Sequence, residues 1–148
     1  MKGYKIGINE KLLDFVLIEL EVPEEYPGAI VYEHKYKIFN NPYTHYPDRK
    51  YRVVVQYRSN VARILNIRRI KFGTHEYADS AMSLYDEHFY YHPGEIIYPD
   101  AFDPNPDNIC TNGIHFFGTY EDAISYTEDD WPRHRYDCEM LSILCRRH

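Results

Sequence analysis

A thiol and an imidazole lie five residues apart at Cys110 and His115. A neighbouring imidazole that takes a thiol proton produces a thiolate, the nucleophile of cysteine chemistry. Acidic residues follow nearby, so a small enzyme with a Cys110/His115 site is one reading. Closeness in sequence does not set hydrogen-bond geometry. No Ser-His-Asp signature, P-loop or dinucleotide loop accompanies the pair. His115 also shares a strand face with Gly113 and Phe117, where packing is its ordinary role. No catalytic residue is assigned.

The same residue types raise the question of metal. Cys110 with His115, His134 with Cys138, and Cys145 with His148 form loosely spaced pairs, and no C-x-x-C occurs. A structural zinc site needs four converging ligands, usually in tight pairs. Asp100, Asp103 and Asp107 stand in a proline-rich loop without the alternating acids and central glycine of an EF-hand. No metal ligand and no cofactor is assigned.

Charge is the third source of chemistry. The chain has a net charge of −6, but residues 49–71 hold eight basic and no acidic side chains, while residues 72–132 hold thirteen acidic and no basic ones. If the outward faces of the basic window form one patch, Arg52, Arg58, Arg63, Arg68, Arg69 and Lys71 could meet phosphates or an acidic partner. Tyr51 and Tyr57 fall on the opposite face, which weakens a base-stacking groove. The bland reading is that the acidic stretch folds against the basic strands, or meets them on a second copy of the chain.

These residues must be positioned by strands. A chain of 148 residues with 44% hydrophobic content is expected to form one domain over residues 1–148 with a real core. Its 16 Tyr suit half-buried sheet faces and interfaces. Residues 3–8 read as a strand and 9–11 as a turn. Residues 12–22 read as a strand with Val16, Ile18, Leu20 and Val22 on one face, Glu19 and Glu21 on the other. Phe15 and Leu17 suggest that its first half is covered on both sides. Residues 30–39 alternate, with His34 on the more apolar face as a partly buried structural imidazole. Residues 40–49 read as a loop.

Residues 50–58 have the clearest period of two. Tyr51, Val53, Val55 and Tyr57 point one way; Lys50, Arg52, Gln56 and Arg58 point the other, with Val54 among them. In residues 61–72, Ile64, Leu65, Ile67 and Ile70 fit neither the helical nor the strand period, and β-branched content favours a strand. Shorter strands are expected over 81–85, 88–91 and 95–98, then an irregular loop over 99–108. Ile114 to Phe117 reads as a buried strand after an Asn112-Gly113 turn. Thr119 then caps a short helix with acids in its first turn. Residues 139–145 read as a last strand. The fold class is α+β and strand-rich, a mainly antiparallel sheet or a sandwich or barrel, with one short helix near residues 119–129.

The motifs Gly3-Tyr4-Lys5, Leu17-Ile18-Glu19-Leu20 with Val22-Pro23, and Tyr57-Arg58 before Ala62-Arg63-Ile64-Leu65 occur in a recognisable order. Ser83-Leu84-Tyr85-Asp86, Phe89-Tyr90-Tyr91 with Gly94-Glu95, and Cys110 to Phe117 with Ala123 and Tyr126 continue it. Together they resemble a small uncharacterised domain of large DNA viruses, including those of amoebae, and of phages, sometimes found beside pentapeptide repeats. The resemblance implies a viral origin and no reaction. It brings no catalytic residues. The expected role is a non-enzymatic protein–protein interaction or virion-associated one, with a viral or host protein as partner. A homodimer belongs to the same reading; nucleic-acid binding through residues 49–71 is the alternative, and the small enzyme with a Cys110/His115 site the second. The absence of a signal peptide or membrane span and an odd count of three Cys point to an intracellular site, the infected cell or the virion, rather than secretion.

Overall fold

In a computed structural model, the two N-terminal strands form the hairpin on which the sheet is built. The structure describes residues 1–39, 51–70, 76–84, 86, 88–108 and 111–125; for 36–39, 51, 52 and 125 it describes the backbone alone. Strand β1 (Lys2–Asn9) pairs antiparallel with β2 (Asp14–Glu21). Asn9 closes the turn: its Oδ1 accepts the Leu12 N–H at 2.9 Å, and its Nδ2 donates to the Ser80 carbonyl at 2.8 Å. Leu13 adopts a φ of 51°, uncommon for a side-chain-bearing residue, and is 88% exposed. The second strand therefore starts at Asp14, two residues later than its apolar pattern suggests.

Strands β3 (Val31–Phe39), β4 (Tyr51–Ser59) and β5 (Ala62–Arg69) supply the long flanks. The short strands β6 (Ala81–Ser83), β7 (Tyr90–Tyr91), β8 (Ile96–Ile97) and β9 (Ile114–Phe117) fill the gaps. The order is β3-β4-β9-β1-β2-β5-β8, with β6 pairing both β1 and β7. One edge of β1 is shared. Tyr4 pairs with Phe117 of β9, while Gly7 and Ile8 pair with Ser83 and Met82 of β6. All these pairings are antiparallel, and the α+β reading holds. Of the architectures expected, the chain adopts the open sheet rather than a sandwich or closed barrel.

Both faces carry a core, as the double apolar pattern of residues 12–22 suggests. On one face Val16, Ile18, Leu20, Ile64, Ile67, Ile114 and Phe116 are buried, with Tyr26, Ala78 and Phe89 packed against them. On the other, Ile6, Leu17, Val54 and Phe117 meet Ala123 of helix α1 (Tyr120–Ser125). Thr119 caps that helix, its Oγ1 accepting the Asp122 N–H at 3.2 Å. Gly3 is bare because the Phe116 ring occupies the place of a Cβ.

The ambiguous period of residues 61–72 has a structural cause. Asn66 pairs with Glu19 but Ile64 pairs with Leu20, so Leu65 is an extra residue in a β-bulge. The bulge turns Ile64 and Ile67, three apart, onto the same face, and both are fully buried. The expected loop at 40–49, the expected strand at 139–145 and residues 126–129 of the expected helical span lie outside the described residues. Among the described residues, no helix is long and apolar enough to cross a membrane.

Candidate functional site

Strand β4 alternates as its sequence predicts, but the side facing the interior is the reverse of the one expected. Val54, Gln56 and Arg58 are buried at 0%, 8% and 0% exposure, while Val53 is 53% exposed. The reason is the loop after β8. Residues 102–108, 111 and 112 gather at the end of β4, and Arg58 is their organising group.

The Arg58 guanidinium donates to four backbone carbonyls. Nη1 reaches the oxygens of Asp103 at 2.6 Å and Asn112 at 3.1 Å. Nη2 reaches those of Asn105 at 2.9 Å and Asn108 at 3.1 Å. The Tyr32 and Phe102 rings flank the cation, with centroids 5.1 and 5.0 Å from its central carbon. The Tyr32 hydroxyl donates to the Pro104 carbonyl at 2.7 Å, which ties β3 to the same loop. Gly113 leaves room: a Cβ there would lie 2.5 Å from Arg58 Cγ. Nε of Arg58 is buried without a hydrogen-bond acceptor. Burial pulls the guanidinium below its ordinary pKa, opposed by the charge of Asp103; it stays a cation at any relevant pH.

Asp103 holds the loop from inside. Its carboxylate accepts from Asn108 Nδ2 at 2.8 Å, the Asn105 N–H at 2.9 Å and Thr111 Oγ1 at 2.9 Å. These bonds, led by that of Asn108, depress its pKa below the usual aspartate value. The Asp, Asn and Pro content that reads as an irregular loop is thus a set of turns closed by short polar side chains. Asp100 and Asp107 lie in this loop too, and Asp107 donates its N–H to Asn105 Oδ1 at 3.0 Å. Among the described residues, no cluster of His, Cys, Asp and Glu has the arrangement of a metal site.

Of the six candidate basic residues, the four whose side chains are described do not form one patch. Arg58 is inside. Arg63 pairs with Glu21 at 2.9 Å and with Glu25. Arg69, on the opposite face, pairs with Asp14 and Glu76, each at 3.2 Å. These partner hydrogen bonds are the leading cause that raises both arginines further above their ordinary pKa. Arg68 lies over the Tyr120 ring, 5.4 Å from its centroid. The side chain of Arg52, and Lys71, lie outside the described residues. Internal pairing of the window is therefore real for Arg63 and Arg69, but most of its acids come from the first 25 residues; Glu76 alone of these four comes from the acidic stretch.

His115 sits opposite Arg58 in the β4–β9 register and is 4% exposed. Its Nε2 lies 2.8 Å from the Thr111 carbonyl, so that nitrogen carries the proton. Its own carbonyl accepts from the buried Lys5 ammonium at 2.8 Å. Cys110 lies outside the described residues. His34, opposite Gln56, is partly buried; desolvation, and then the nearby Arg58 charge, lower its pKa, and its Nε2 has no hydrogen-bond partner.

Sequence reasoning misses Tyr32, Phe102, Asp103 and Gly113 as partners of Arg58. One signal was present: Arg58 shares its face of β4 with the apolar Val54, an odd place for a solvent-facing cation. A model described as a family of unknown function (DUF5758) matches residues 42–123, more than half of the chain and the span containing Arg58, the loop and His115. No curated protein and no solved structure matches the chain.

Proposed function

We propose, for a chain that belongs to the DUF5758 family of unknown function, a non-enzymatic role in protein–protein interaction. One observation carries it: large aromatic side chains stay in solvent while several of the groups suited to chemistry are used to build the fold. Tyr77, Tyr98, Tyr90 and Tyr120 are 66%, 51%, 40% and 40% exposed. Tyrosine is enriched at protein interfaces, where its ring packs and its hydroxyl stays hydrated. Arg58 and His115, by contrast, are committed to backbone carbonyls.

The resemblance to a domain of large DNA viruses and phages sets the context of this proposal. The chain acts inside an infected cell or in the virion, on a viral or host protein or on a second copy of itself. Light scattering of the purified chain over a wide concentration range, with pull-downs from infected cells, tests it. A self-associated species or a partner that binds the purified chain directly supports the role. A monomer at every concentration together with empty pull-downs overturns it.

A nucleic-acid role through residues 49–71 is the second reading. Arg68 favours it, because among the described residues it has an aromatic neighbour and no carboxylate partner. Binding of this kind weakens steeply with salt. A gel shift lost on replacing Arg52 and Arg68 by Glu would support it, and an absent or salt-insensitive shift would end it.

A further inference from the structure

We propose that the outer edge of β3 pairs with the same strand of a second copy, antiparallel, about a two-fold axis at His34. This rests on the protein-interaction reading and names the partner and the surface.

Strand β3 spans nine residues and, among the described strands, ends the sheet, paired with β4 on one side. The Asn60 N–H donates to the Ile30 carbonyl at 3.2 Å. The alternation of an antiparallel ladder then turns the backbone of Tyr32 and His34 toward β4, and that of Val31, Glu33 and Lys35 outward. Among the described residues, nothing hydrogen-bonds to those outward groups. An open strand edge of this length is a template for another strand. No proline interrupts Val31–Phe39, and its pairing with β4 runs without a register shift.

Charge selects the partner and the register. A two-fold axis perpendicular to the sheet keeps each face continuous, so a residue must meet one of the same parity. Centred on His34, the axis sets Glu33 of each copy opposite Lys35 of the other, giving two opposite-charge pairs and no like-charge pair. Centred on position 35, it also sets Glu33 opposite a lysine, position 37, twice, but adds a like-charge contact of Lys35 with its own copy. Centred on position 36, it sets positions 35 and 37, both lysine, against each other twice. Lysines on an edge strand normally discourage pairing; with Glu33 beside them they reject the neighbouring registers. Glu33 and Lys35 already stand on one face, 3.6 Å apart within a single chain, with Lys35 67% and Glu33 48% exposed; Glu33 also bonds the Tyr57 side chain, so it is Lys35 that exchanges partners.

The test is a charge swap on the full chain. Sedimentation equilibrium should show a dimer for the native chain. Glu33→Lys alone and Lys35→Glu alone each create two like-charge pairs and should weaken it by about tenfold or more. The double variant carrying both should restore it. Thermal melts of all four proteins report whether the fold is kept. A cysteine scan reads the register: His34→Cys should form an inter-chain disulfide on mild oxidation, beyond that of the native chain, and Lys35→Cys should not. A Lys35→Cys cross-link without the His34→Cys one, or failure of the double variant to restore the dimer, overturns the proposed pairing. A native chain that stays monomeric also overturns it, while the broader interaction reading is then decided by the pull-downs.

Discussion

At the scale of single residues, Arg58 has the largest predicted effect. It is a cation fully removed from solvent and held by neutral carbonyls rather than by a carboxylate. Removing it takes the donors from four part-buried carbonyls, and each one that water does not reach costs about 1–3 kcal/mol. Arg58→Met should therefore destabilise the chain by about 3 kcal/mol or more in urea unfolding. Arg58→Lys should rescue little, because an ammonium cannot present two forked nitrogens to four oxygens between two rings. Stability of Arg58→Lys close to that of the native chain would show that the cage is incidental. His34 makes a pH-dependent prediction. Its folded pKa lies below the ordinary value of 6.5, so the unfolded chain takes up its proton first. The stability it contributes is present above about pH 6.5 and is lost as pH falls through the lower folded value. His34→Gln should flatten that part of the stability–pH curve; an unchanged slope would remove the assignment.

Elements decide which way those residues face. The period of β4 is plain in the sequence, yet its inward side is set by residues 45 to 54 positions downstream, the carbonyls of Asp103 and Asn112. Local pattern cannot supply that information, and a face carrying Lys50, Arg52, Gln56 and Arg58 reads naturally as a wet one. A pair of substitutions separates the two assignments. Val53→Lys, at a 53% exposed position, should change stability by no more than about 0.5 kcal/mol. Val54→Lys, at a fully buried one, should prevent folding or cost several kcal/mol, about the effective penalty of burying an unpaired ion. Circular dichroism with urea titration reads both, and the opposite ranking would restore the sequence-based orientation. The bulge at Leu65 teaches the same point from β5. One inserted residue mimics a helical spacing of Ile64 and Ile67 inside a strand.

At the scale of the whole molecule, the segregation of charge along the chain does not become segregation in space among the described residues. Arg63 and Arg69 point to opposite faces and are neutralised by Glu21, Glu25, Asp14 and Glu76, while Arg58 is enclosed. With a net charge of −6, the chain should pass through a heparin column at about 0.15 M salt, where surface charges are screened beyond roughly 8 Å. Firm retention there would point to a basic patch instead. By itself the sequence determined what is local. It set the strand periods, the Ile114–Phe117 strand, the Thr119 cap with its short helix, and the buried and wet faces of β2. Those depend on residues within a few positions of one another. Only the tertiary structure decided which edge of β1 holds both β9 and β6, which face of β4 carries the buried Val54, Gln56 and Arg58, and that the Arg58 guanidinium is enclosed by backbone carbonyls. Each of these depends on a partner distant along the chain, and a one-dimensional pattern carries no record of which distant segment will fold over it.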